Sequence, residues 1–314
     1  MRIALVSQAT DLQQAAAAHP RWTVRRVLPS TKGWTAALAG ADVVVAGPER
    51  YTAEELDCVS GLRAILRSGV GTDAIDIDAA TARGIWVTAM PGVNAGSVAE
   101  HALALTLALL HRVVVLDARV RAGQWRDGVR LRSLQGARFG VVGLGRIGQR
   151  TAQLAASCGA EVRGFDPVQR PPGIDTVARL DDLLAWVDVL SLHVPLTAET
   201  EHLISSRELG LLSEGALLVN TSRGGVVDQP ALATALRGHL GGAALDVFGD
   251  EPVPRDDPLT TLDNTVLTPH VGSLDQLSVT LMTQRLVQQI EQLERGHAPE
   301  GAVNVPATVP WEAS

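Results

Sequence analysis

The chain has 314 residues, which is enough for two domains of ordinary size with a sizeable hydrophobic core. A hydrophobic content of 46% with 19% charged residues is typical of a soluble globular protein, and the 3% aromatic content means that Ala, Val, Leu and Ile must build the core. The net charge of −7 argues against nucleic acid or an anionic membrane as a partner.

The cysteines and the N-terminus indicate the cellular compartment. Cys58 and Cys158 lack metal-ligand spacing, so we expect two small buried residues in a reducing compartment rather than a disulfide or a metal site. We expect the first residues, MRIALVSQAT, to start a strand, because they lack the long apolar stretch and the cleavage site of a secretory leader. The apolar run from Ala102 to Leu110 is too short to span a membrane. We therefore expect a cytoplasmic protein.

Residues 1–93 alternate short apolar strands with helical patterns, which predicts a small parallel α/β domain. The predicted elements are strands at Arg2–Ser7, Val24–Leu28, Asp42–Ala46, Ala64–Arg67 and Trp86–Thr88, with helices at Asp11–His19 and Ala53–Val59. The loop RSGVGTD at 67–73 follows a strand end, and its glycines would let backbone amides bind a small carboxylate. An ordinary strand-to-helix turn explains this loop equally well.

The next segments suggest a crossing between domains and a contact between subunits. The breaker-rich segment 91–97 suits an inter-domain crossing. Residues 97–112 form a helical pattern that is apolar almost all round, which predicts a buried helix between domains or subunits. His101 and His111 on it are expected to be interface or hydrogen-bonded histidines rather than ligands. Residues 113–134 show little core pattern, which favours an arm that reaches a second subunit.

The strongest pattern is ARFGVVGLGRIGQRTAQLAASCGAEVRGFD at 137–166. Its parts are the strand Arg138–Val142, the glycines Gly143, Gly145 and Gly148, the helix Gln149–Cys158, the strand Glu161–Phe165 and Asp166. Gly143 allows a tight turn, Gly145 lets the backbone approach a pyrophosphate, and Gly148 lets the helix pack close to the strand. The N-terminus of the helix then faces the phosphates. Asp166 lies where a carboxylate accepts the hydroxyls of an adenine ribose. The order of these parts predicts a dinucleotide-binding unit.

Alternation of helices and strands resumes after residue 166. Helices are predicted at Leu180–Trp186, Ser206–Leu212, Gln229–Arg237 and Ser278–Arg295, and strands at Val187–His193, Ala216–Asn220, Gly242–Val247 and Asn264–Thr268. The second domain therefore spans about 94–275, and the C-terminal helix returns to the first domain.

Polar residues follow four predicted strand ends of the second domain, where a doubly wound sheet places its site. The segments are HVPLT at 193–197, NTSRGG at 220–225, DVFGDE at 246–251 and TPHVGS at 268–273. Hydride transfer from a hydroxy acid needs a cation, a base and a group that tunes the base. Arg223 supplies a bidentate fork, His270 an imidazole with a reference pKa of roughly 6.5, and Glu251 a carboxylate that favours imidazolium. A surface salt bridge, a strand cap and a turn would explain them singly, but their shared location supports a joint role.

These segments resemble the D-isomer-specific 2-hydroxyacid dehydrogenase family, which contains phosphoglycerate dehydrogenases, glyoxylate/hydroxypyruvate reductases and D-lactate dehydrogenases. The similarity covers nearly the whole chain, through RSGVGTDAID at 67–76, VAEHALALTLALL at 98–110, VVGLGRIGQ at 141–149, HVPLTAET at 193–200, VNTSRGGVVDQPAL at 219–232, ALDVFGDEP at 244–252 and TPHVGS at 268–273. The resemblance implies an α/β fold of two doubly wound parallel-sheet domains. A Rossmann NAD-binding domain, 94–275, is inserted into a flavodoxin-like substrate domain, 1–93 and 276–314.

The resemblance also implies an NAD-dependent oxidoreductase that interconverts a small 2-oxo acid and its D-2-hydroxy acid. Its catalytic residues would be Arg223, Glu251 and His270. Arg223 and His270 would also contact the substrate, whose carboxylate the amides of Val70 and Gly71 would bind. The predicted cofactor-binding residues are Gly143, Gly145, Arg146, Ile147, Gly148, Asp166, His193, Pro195, Thr221 and Asp246. The family is usually dimeric through the domain that contains residues 98–135, so we expect a homodimer without a metal.

Departures from the family pattern narrow the substrate and the cofactor. Phosphoglycerate-type members hold the phosphate with basic residues near the second-strand loop, whereas AGPER at 46–50 offers only Arg50. No regulatory extension is expected after Asn304. Asp166 would repel the 2′-phosphate of NADP, so NAD is predicted, although Arg170 could partly support NADP. The alternatives are a short phosphoglycerate dehydrogenase and an NAD(H)-sensing, corepressor-like binding protein.

Overall fold

The computed structural model describes residues 1–28, 34–47 and 49–307. They divide into two units, of which the first contains Met1–Asn94 and the described residues from Ser273 onward, and the second contains Ala95–Gly272. Across the described residues the α-helices are α1 (Leu12–Ala15), α2 (Ala53–Asp57), α3 (Ile77–Ala82), α4 (Ala95–Leu110), α5 (Val113–Arg121), α6 (Arg146–Ser157), α7 (Leu180–Leu184), α8 (Ser206–Leu209), α9 (Gln229–Arg237) and α10 (Gln276–Glu294).

The first unit is built on a five-stranded parallel sheet. Its strands are β1 (Arg2–Leu5), β2 (Thr23–Arg26), β3 (Val43–Ala46), β4 (Ala64–Arg67) and β5 (Trp86–Thr88). Their order is β2-β1-β3-β4-β5, and every neighbouring pair is parallel. This is the order of flavodoxin-like sheets. The central strand β3 is buried at every position because apolar clusters cover both faces of the sheet.

The second unit is built on a seven-stranded parallel sheet. Its strands are β6 (Arg138–Val142), β7 (Glu161–Phe165), β8 (Asp175–Thr176), β9 (Val189–Leu192), β10 (Leu217–Asn220), β11 (Gly242–Leu245) and β12 (Thr265–Leu267). The order β12-β11-β10-β9-β6-β7-β8 reverses between β6 and β9, which is the switch point of a Rossmann sheet. The predicted α/β class with two doubly wound parallel sheets is confirmed.

Strand register brings the predicted site segments to one edge of this sheet. Val142 pairs with Leu192, Leu192 pairs with Asn220, and Asn220 pairs with Leu245. Leu245 pairs in turn with Leu267 of β12, so β6, β9, β10, β11 and β12 end side by side and the loops that follow them are neighbours. Aliphatic clusters on both faces hold the strands in place, as the scarcity of aromatic residues predicted.

The apolar sequence of helix α4 predicted a buried helix between domains or subunits, and within the described chain the helix is half buried. One side, including Ala102 and Leu105, is buried, and the helix packs against β10, β11, β12 and α6. Leu103 and Leu107 are half-buried, and Ala104 is exposed. A single helix presents only one stripe to the sheet, so the other side of α4 is not covered within the described chain.

Three further expectations from the sequence need correction. Within the segment 113–134, which was not predicted to be helical, residues Val113–Arg121 form α5. The short strand β8 was not predicted either. Cys58 and Cys158 are exposed rather than buried, because each caps the C-terminus of a helix at the surface. No helix in the described ranges has the length and apolar character needed to cross a membrane.

Candidate active site

The glycine turn after β6 has the close contacts that the fingerprint predicts. Gly143 has a φ of 90°, and a Cβ there would lie 2.5 Å from the carbonyl oxygen of His193. A Cβ on Gly148 would lie 1.9 Å from the carbonyl oxygen of Gly143. At Gly145, the N-cap of α6, a Cβ would meet no described atom within 4 Å. Two glycines therefore shape the turn, and the third leaves open space beside its backbone.

Asp166 directly follows β7 and is an ionised hydrogen-bond acceptor. One carboxylate oxygen accepts a hydrogen bond from the Leu144 amide at 2.8 Å, and the other accepts from the amides of Val168 and Gln169 at 2.9 Å each. Burial alone would raise the pKa of Asp166, but these amides and the charge of Arg170 outweigh it and lower the pKa. The side chain thus carries a negative charge beside the glycine turn.

Two buried polar atoms at neighbouring strand ends have no partner within the described chain. His193 Nε2 bonds Ser191 Oγ at 2.8 Å, whereas its Nδ1 is unpartnered. Burial lowers the pKa of His193 to about 3, so the ring is neutral. Thr221 Oγ1, on the adjacent strand end, is also buried and unpartnered. Buried polar atoms are normally hydrogen-bonded, so this edge fits a polar ligand.

The remaining predicted cofactor residues surround the same edge. Arg146 and Ile147 form the first turn of α6, where Arg146 is exposed and Ile147 is half-buried. Pro195 is exposed in the loop after β9. With the glycine turn, Asp166 and the unpartnered atoms, these residues fit a dinucleotide: open space at a helix N-terminus for phosphates and a carboxylate for a ribose.

Glu251 and His270 are in direct contact. His270 Nδ1 lies 2.7 Å from one carboxylate oxygen of Glu251, whose other oxygen accepts a hydrogen bond from the Phe248 amide at 3.0 Å. A carboxylate can only accept, so Nδ1 donates and Nε2 is left to exchange a proton with a ligand. Both side chains are about a third exposed, at 33% for His270 and 28% for Glu251.

The loop that carries Arg223 is shaped by Asn220. The Asn220 amide nitrogen donates to the Arg223 carbonyl at 2.8 Å, and its oxygen accepts from the Ser222 amide and hydroxyl. A Cβ on Gly224 would lie 1.9 Å from the carbonyl carbon of Phe248, so only glycine allows this approach. The Arg223 loop thus touches the segment that leads to Glu251, and the structure brings the loops of all three predicted catalytic residues together.

Asp246 is 2% exposed and bonds the loop after β12. Its carboxylate accepts hydrogen bonds from Thr268 Oγ1 at 2.6 Å and from the amides of Val271 and Gly272 at 2.9 Å each. His101 Nε2 of α4 lies 3.0 Å from Thr268 Oγ1 and 3.3 Å from the carboxylate. The expectation that His101 is hydrogen-bonded is confirmed, but its link to this loop was missed. Its position as a polar residue on an apolar helix was the only available signal.

Val70 and Gly71 belong to the first unit and follow β4. Val70 is 41% exposed, and the Gly71 carbonyl accepts a hydrogen bond from Arg67 Nε at 2.9 Å. Residues 46–50 were compared above with the loop that holds the phosphate in phosphoglycerate-type members. The structure describes them except for Pro48. Among them Arg50 is exposed, and burial raises the pKa of Glu49.

Residues 103–272 match the family model described as D-isomer specific 2-hydroxyacid dehydrogenase, NAD binding domain. The chain is also 40% identical over 263 residues to glyoxylate reductase of Korarchaeum cryptofilum, a match that covers 80% of this chain and 79% of that protein. The chain belongs to the D-isomer-specific 2-hydroxyacid dehydrogenase family. The resemblance noted from the sequence is confirmed, and the matched region of this family member is its NAD-binding domain.

Two other relatives define the breadth of the match. D-3-phosphoglycerate dehydrogenase of Methanocaldococcus jannaschii is 38% identical over 281 residues, which is 87% of this chain and 53% of that protein. The chain therefore spans about half the length of that relative. A crystal structure of D-lactate dehydrogenase from Aquifex aeolicus complexed with NAD and lactic acid has a TM-score of 0.86 and 30% identity, covering 98% of this chain and 100% of that chain.

Proposed function

We propose that this dehydrogenase-family protein interconverts a small 2-oxo acid and its D-2-hydroxy acid with NAD(H). The observation that carries the proposal is the contact of 2.7 Å between His270 and Glu251. His270 follows β12, and the unpartnered atoms of His193 and Thr221 follow β9 and β10, so all three residues lie after the carboxyl ends of parallel strands in one sheet. Reduction of a carbonyl requires transfer of a proton to its oxygen, and an imidazole held by a carboxylate near the bound cofactor can supply that proton.

Each catalytic residue has a distinct role in the proposed reaction. NADH, when bound, supplies the hydride. Arg223 holds the substrate through its planar fork, and in the first unit the amides of Val70 and Gly71 offer a binding site for a small carboxylate. In the reducing direction, Nε2 of His270 gives its proton to the carbonyl oxygen. Glu251 stabilises the imidazolium before that transfer, and the neutral ring takes the proton back in the reverse direction.

The glycine fingerprint and the polar residues at the strand ends are the proposed NAD contacts. Gly145 leaves space for the pyrophosphate at the start of α6, with Gly143, Gly148, Arg146 and Ile147 around it. Asp166 binds the adenine ribose, and Pro195, His193, Thr221 and Asp246 line the nicotinamide end. This assignment rests on open space at one end and unpartnered polar atoms at the other.

Asp166 is the proposed reason for a preference for NAD over NADP. Its charge would repel a 2′-phosphate, whereas Arg170, which donates to the backbone carbonyl of Asp166, is the one nearby cation we identify in the described chain that could offset it. Asp166→Asn should therefore lower the ratio of kcat/KM for NADH to that for NADPH by about tenfold, close to 1.4 kcal/mol. Wild-type protein that uses NADPH as efficiently as NADH would contradict the assignment.

The substrate class can be tested by following NADH oxidation with glyoxylate, hydroxypyruvate, pyruvate, 2-oxoglutarate and phosphohydroxypyruvate. We expect turnover of an unphosphorylated acid, because Arg50 is the lone cation in the described part of the 46–50 stretch. A strong preference for phosphohydroxypyruvate would instead favour a short phosphoglycerate dehydrogenase, which the relative from M. jannaschii makes plausible. NADH binding without turnover of any acid would favour the NAD(H)-sensing function.

We also propose a homodimer that forms through α4, α5 and the segment after them. None of the side chains of α5 is buried within the described chain. The exposed apolar residues are Val113, Val114, Val120, Trp125 and Leu131, with exposed fractions from 50% to 70%. Exposed apolar residues that lie so close together in the chain favour an interaction surface, and the uncovered side of α4 directly precedes them in sequence.

We propose a cytoplasmic location because both cysteines are free thiols at the surface. Cys58 and Cys158 are both free and exposed. Exposed thiols persist in a reducing compartment, whereas an oxidising one favours their modification or pairing.

A further inference from the structure

His101 connects helix α4 to the loop that carries His270. Its Nε2 lies 3.0 Å from Thr268 Oγ1 and 3.3 Å from the Asp246 carboxylate. The Thr268 hydroxyl donates its hydrogen to Asp246 at 2.6 Å, so it can only accept from His101. Nε2 of His101 therefore carries a proton and donates it towards Thr268 and Asp246.

Asp246 transmits this contact to the loop that carries His270. The His270 amide donates to the Asp246 carbonyl at 2.8 Å, and the amides of Val271 and Gly272 donate to its carboxylate at 2.9 Å each. His270 has a φ of 52°, in the left-handed region that residues other than glycine rarely adopt. Such a backbone persists only where the surroundings hold it.

The same helix makes a second contact with this loop. Ser97 Oγ, one turn before His101 on α4, donates to the Gly272 carbonyl at 2.6 Å. A Cβ on Gly272 would lie 3.0 Å from the Asp246 carboxylate and 3.3 Å from the His101 ring, so these groups are closely packed. The loop is thus fixed on one side by Asp246 and on the other by α4.

We propose that His101 is a positioning residue for His270, acting through Thr268 and Asp246, an inference that rests on the proposed dehydrogenase function. Donation from His101 fixes the Thr268 hydroxyl and the Asp246 carboxylate, and Asp246 holds the backbone of His270 and the two residues after it. The imidazole of His270 then keeps the direction in which Nδ1 meets Glu251. His101 itself contacts neither substrate nor cofactor in this role.

The test compares His101→Ala and His101→Gln with His297→Ala, an exposed histidine in the other unit. His101→Ala should lower kcat about 10- to 100-fold with little change in KM or in the Kd for NADH, because a misplaced catalytic group costs that much. His101→Gln, which keeps a donor near the position of Nε2, should recover part of the loss. His297→Ala should behave as wild type.

Hydrogen exchange of the Val271 and Gly272 amides gives a readout that does not depend on activity. Exchange should accelerate in His101→Ala and return towards the wild-type rate in His101→Gln. Wild-type exchange and kcat in His101→Ala would overturn the proposal, as would equal losses in the Ala and Gln variants. If His101→Ala does not fold, the Gln variant and Ser97→Ala decide, because faster exchange in Ser97→Ala is required if α4 holds the loop. If the wild-type protein turns over none of the 2-oxo acids in the panel, the proposed dehydrogenase function is refuted. Hydrogen exchange of Val271 and Gly272 then still tests whether His101 holds the loop that carries His270.

Discussion

At His270, one hydrogen bond determines which ring nitrogen is available for chemistry. Nδ1 donates to Glu251, and the Phe248 amide fixes the other oxygen of that carboxylate. The ring therefore cannot turn without breaking a charge-assisted bond. An acid/base group held in this way has its second nitrogen oriented before the substrate arrives, which is a large part of what a protein contributes to proton transfer.

Replacement of His270 with alanine should lower kcat by about 10²- to 10⁴-fold, the usual contribution of a general acid/base. The Kd for NADH should be nearly unchanged, because the glycine turn and Asp166 are untouched. Steady-state kinetics and fluorescence titration with NADH measure the two effects. His297→Ala serves as the matched control, and near-normal turnover in His270→Ala would remove His270 from this role.

At Asp246, the balance of burial and hydrogen bonds makes stability depend on pH. Burial raises its pKa, but donation from His101, Thr268 and the amides of Val271 and Gly272 outweighs it and lowers the pKa below 3.8. A carboxyl group whose pKa is lower in the folded state than in the unfolded state stabilises the fold at pH values above its unfolded-state pKa. This stabilisation is lost as the pH falls through the folded-state pKa.

The variant Asp246→Asn should therefore be less stable than wild type at neutral pH, and the difference should shrink as the pH falls below 3.8, the ordinary value for this carboxyl group. Thermal unfolding of both proteins from pH 7 to pH 3 measures the trend. A difference in Tm that stays constant over this range would show that the charge of Asp246 does not contribute.

At the level of elements, the turn from β6 to α6 separates two uses of glycine. Gly148 is required for packing, because a Cβ would lie 1.9 Å from a backbone oxygen. Gly145 faces open space, and its φ of −68° is accessible to any residue. Gly148 is therefore required by the fold, whereas Gly145 leaves room for a ligand.

This difference predicts opposite results for two conservative variants. Gly148→Ala should lower Tm by several degrees, since the helix must move away from the strand. Gly145→Ala should keep the wild-type Tm and raise the Kd for NADH about tenfold or more, because its methyl group occupies the proposed pyrophosphate space. Calorimetry and NADH titration distinguish the two. Unchanged NADH affinity in Gly145→Ala would place the pyrophosphate elsewhere.

Element boundaries followed from the sequence where local patterns were strong. Strands β4 and β5 and helix α9 were predicted with the bounds that the structure has. Helix α6 begins at Arg146 rather than Gln149, since Gly148 is tolerated in its first turn. Helix α5 was missed because it buries no side chain within the described chain and so shows no amphipathic stripe.

At the level of the whole molecule, exposed apolar residues on α5 and just after it support the proposed dimer. Val114 and Val120 are 52% and 58% exposed. Exposure of this apolar surface in a monomer is unfavourable, and burial against a second copy would remove it from water. The half-covered α4 precedes this surface in the chain and offers further apolar area.

The double variant Val114→Glu/Val120→Glu should be monomeric, because two charges would be buried in the proposed interface without partners. Light scattering coupled to gel filtration measures the mass. Val305→Glu is the matched control, since Val305 is 79% exposed and lies in the other unit. A double variant that remains dimeric would show that the interface lies elsewhere.

The sequence by itself determined the α/β class, the glycine fingerprint, the acidic end of β7 and the family, because these depend on periodicity and spacing over a few tens of residues. It also identified Arg223, Glu251 and His270 as candidate catalytic residues from their place after predicted strands. The substrate depends on loops whose residues the sequence does not orient.

Only the tertiary structure decided which distant residues meet. His101 and Thr268 are 167 positions apart in the sequence, and Asp246 and Gly272 are 26 positions apart. No local sequence pattern therefore predicts either hydrogen bond. The need for glycine at 224 likewise arises from the backbone of Phe248 on another loop. Such contacts exist because parallel strands end at one edge and bring separate loops together, and register and packing, rather than residue type, fix them.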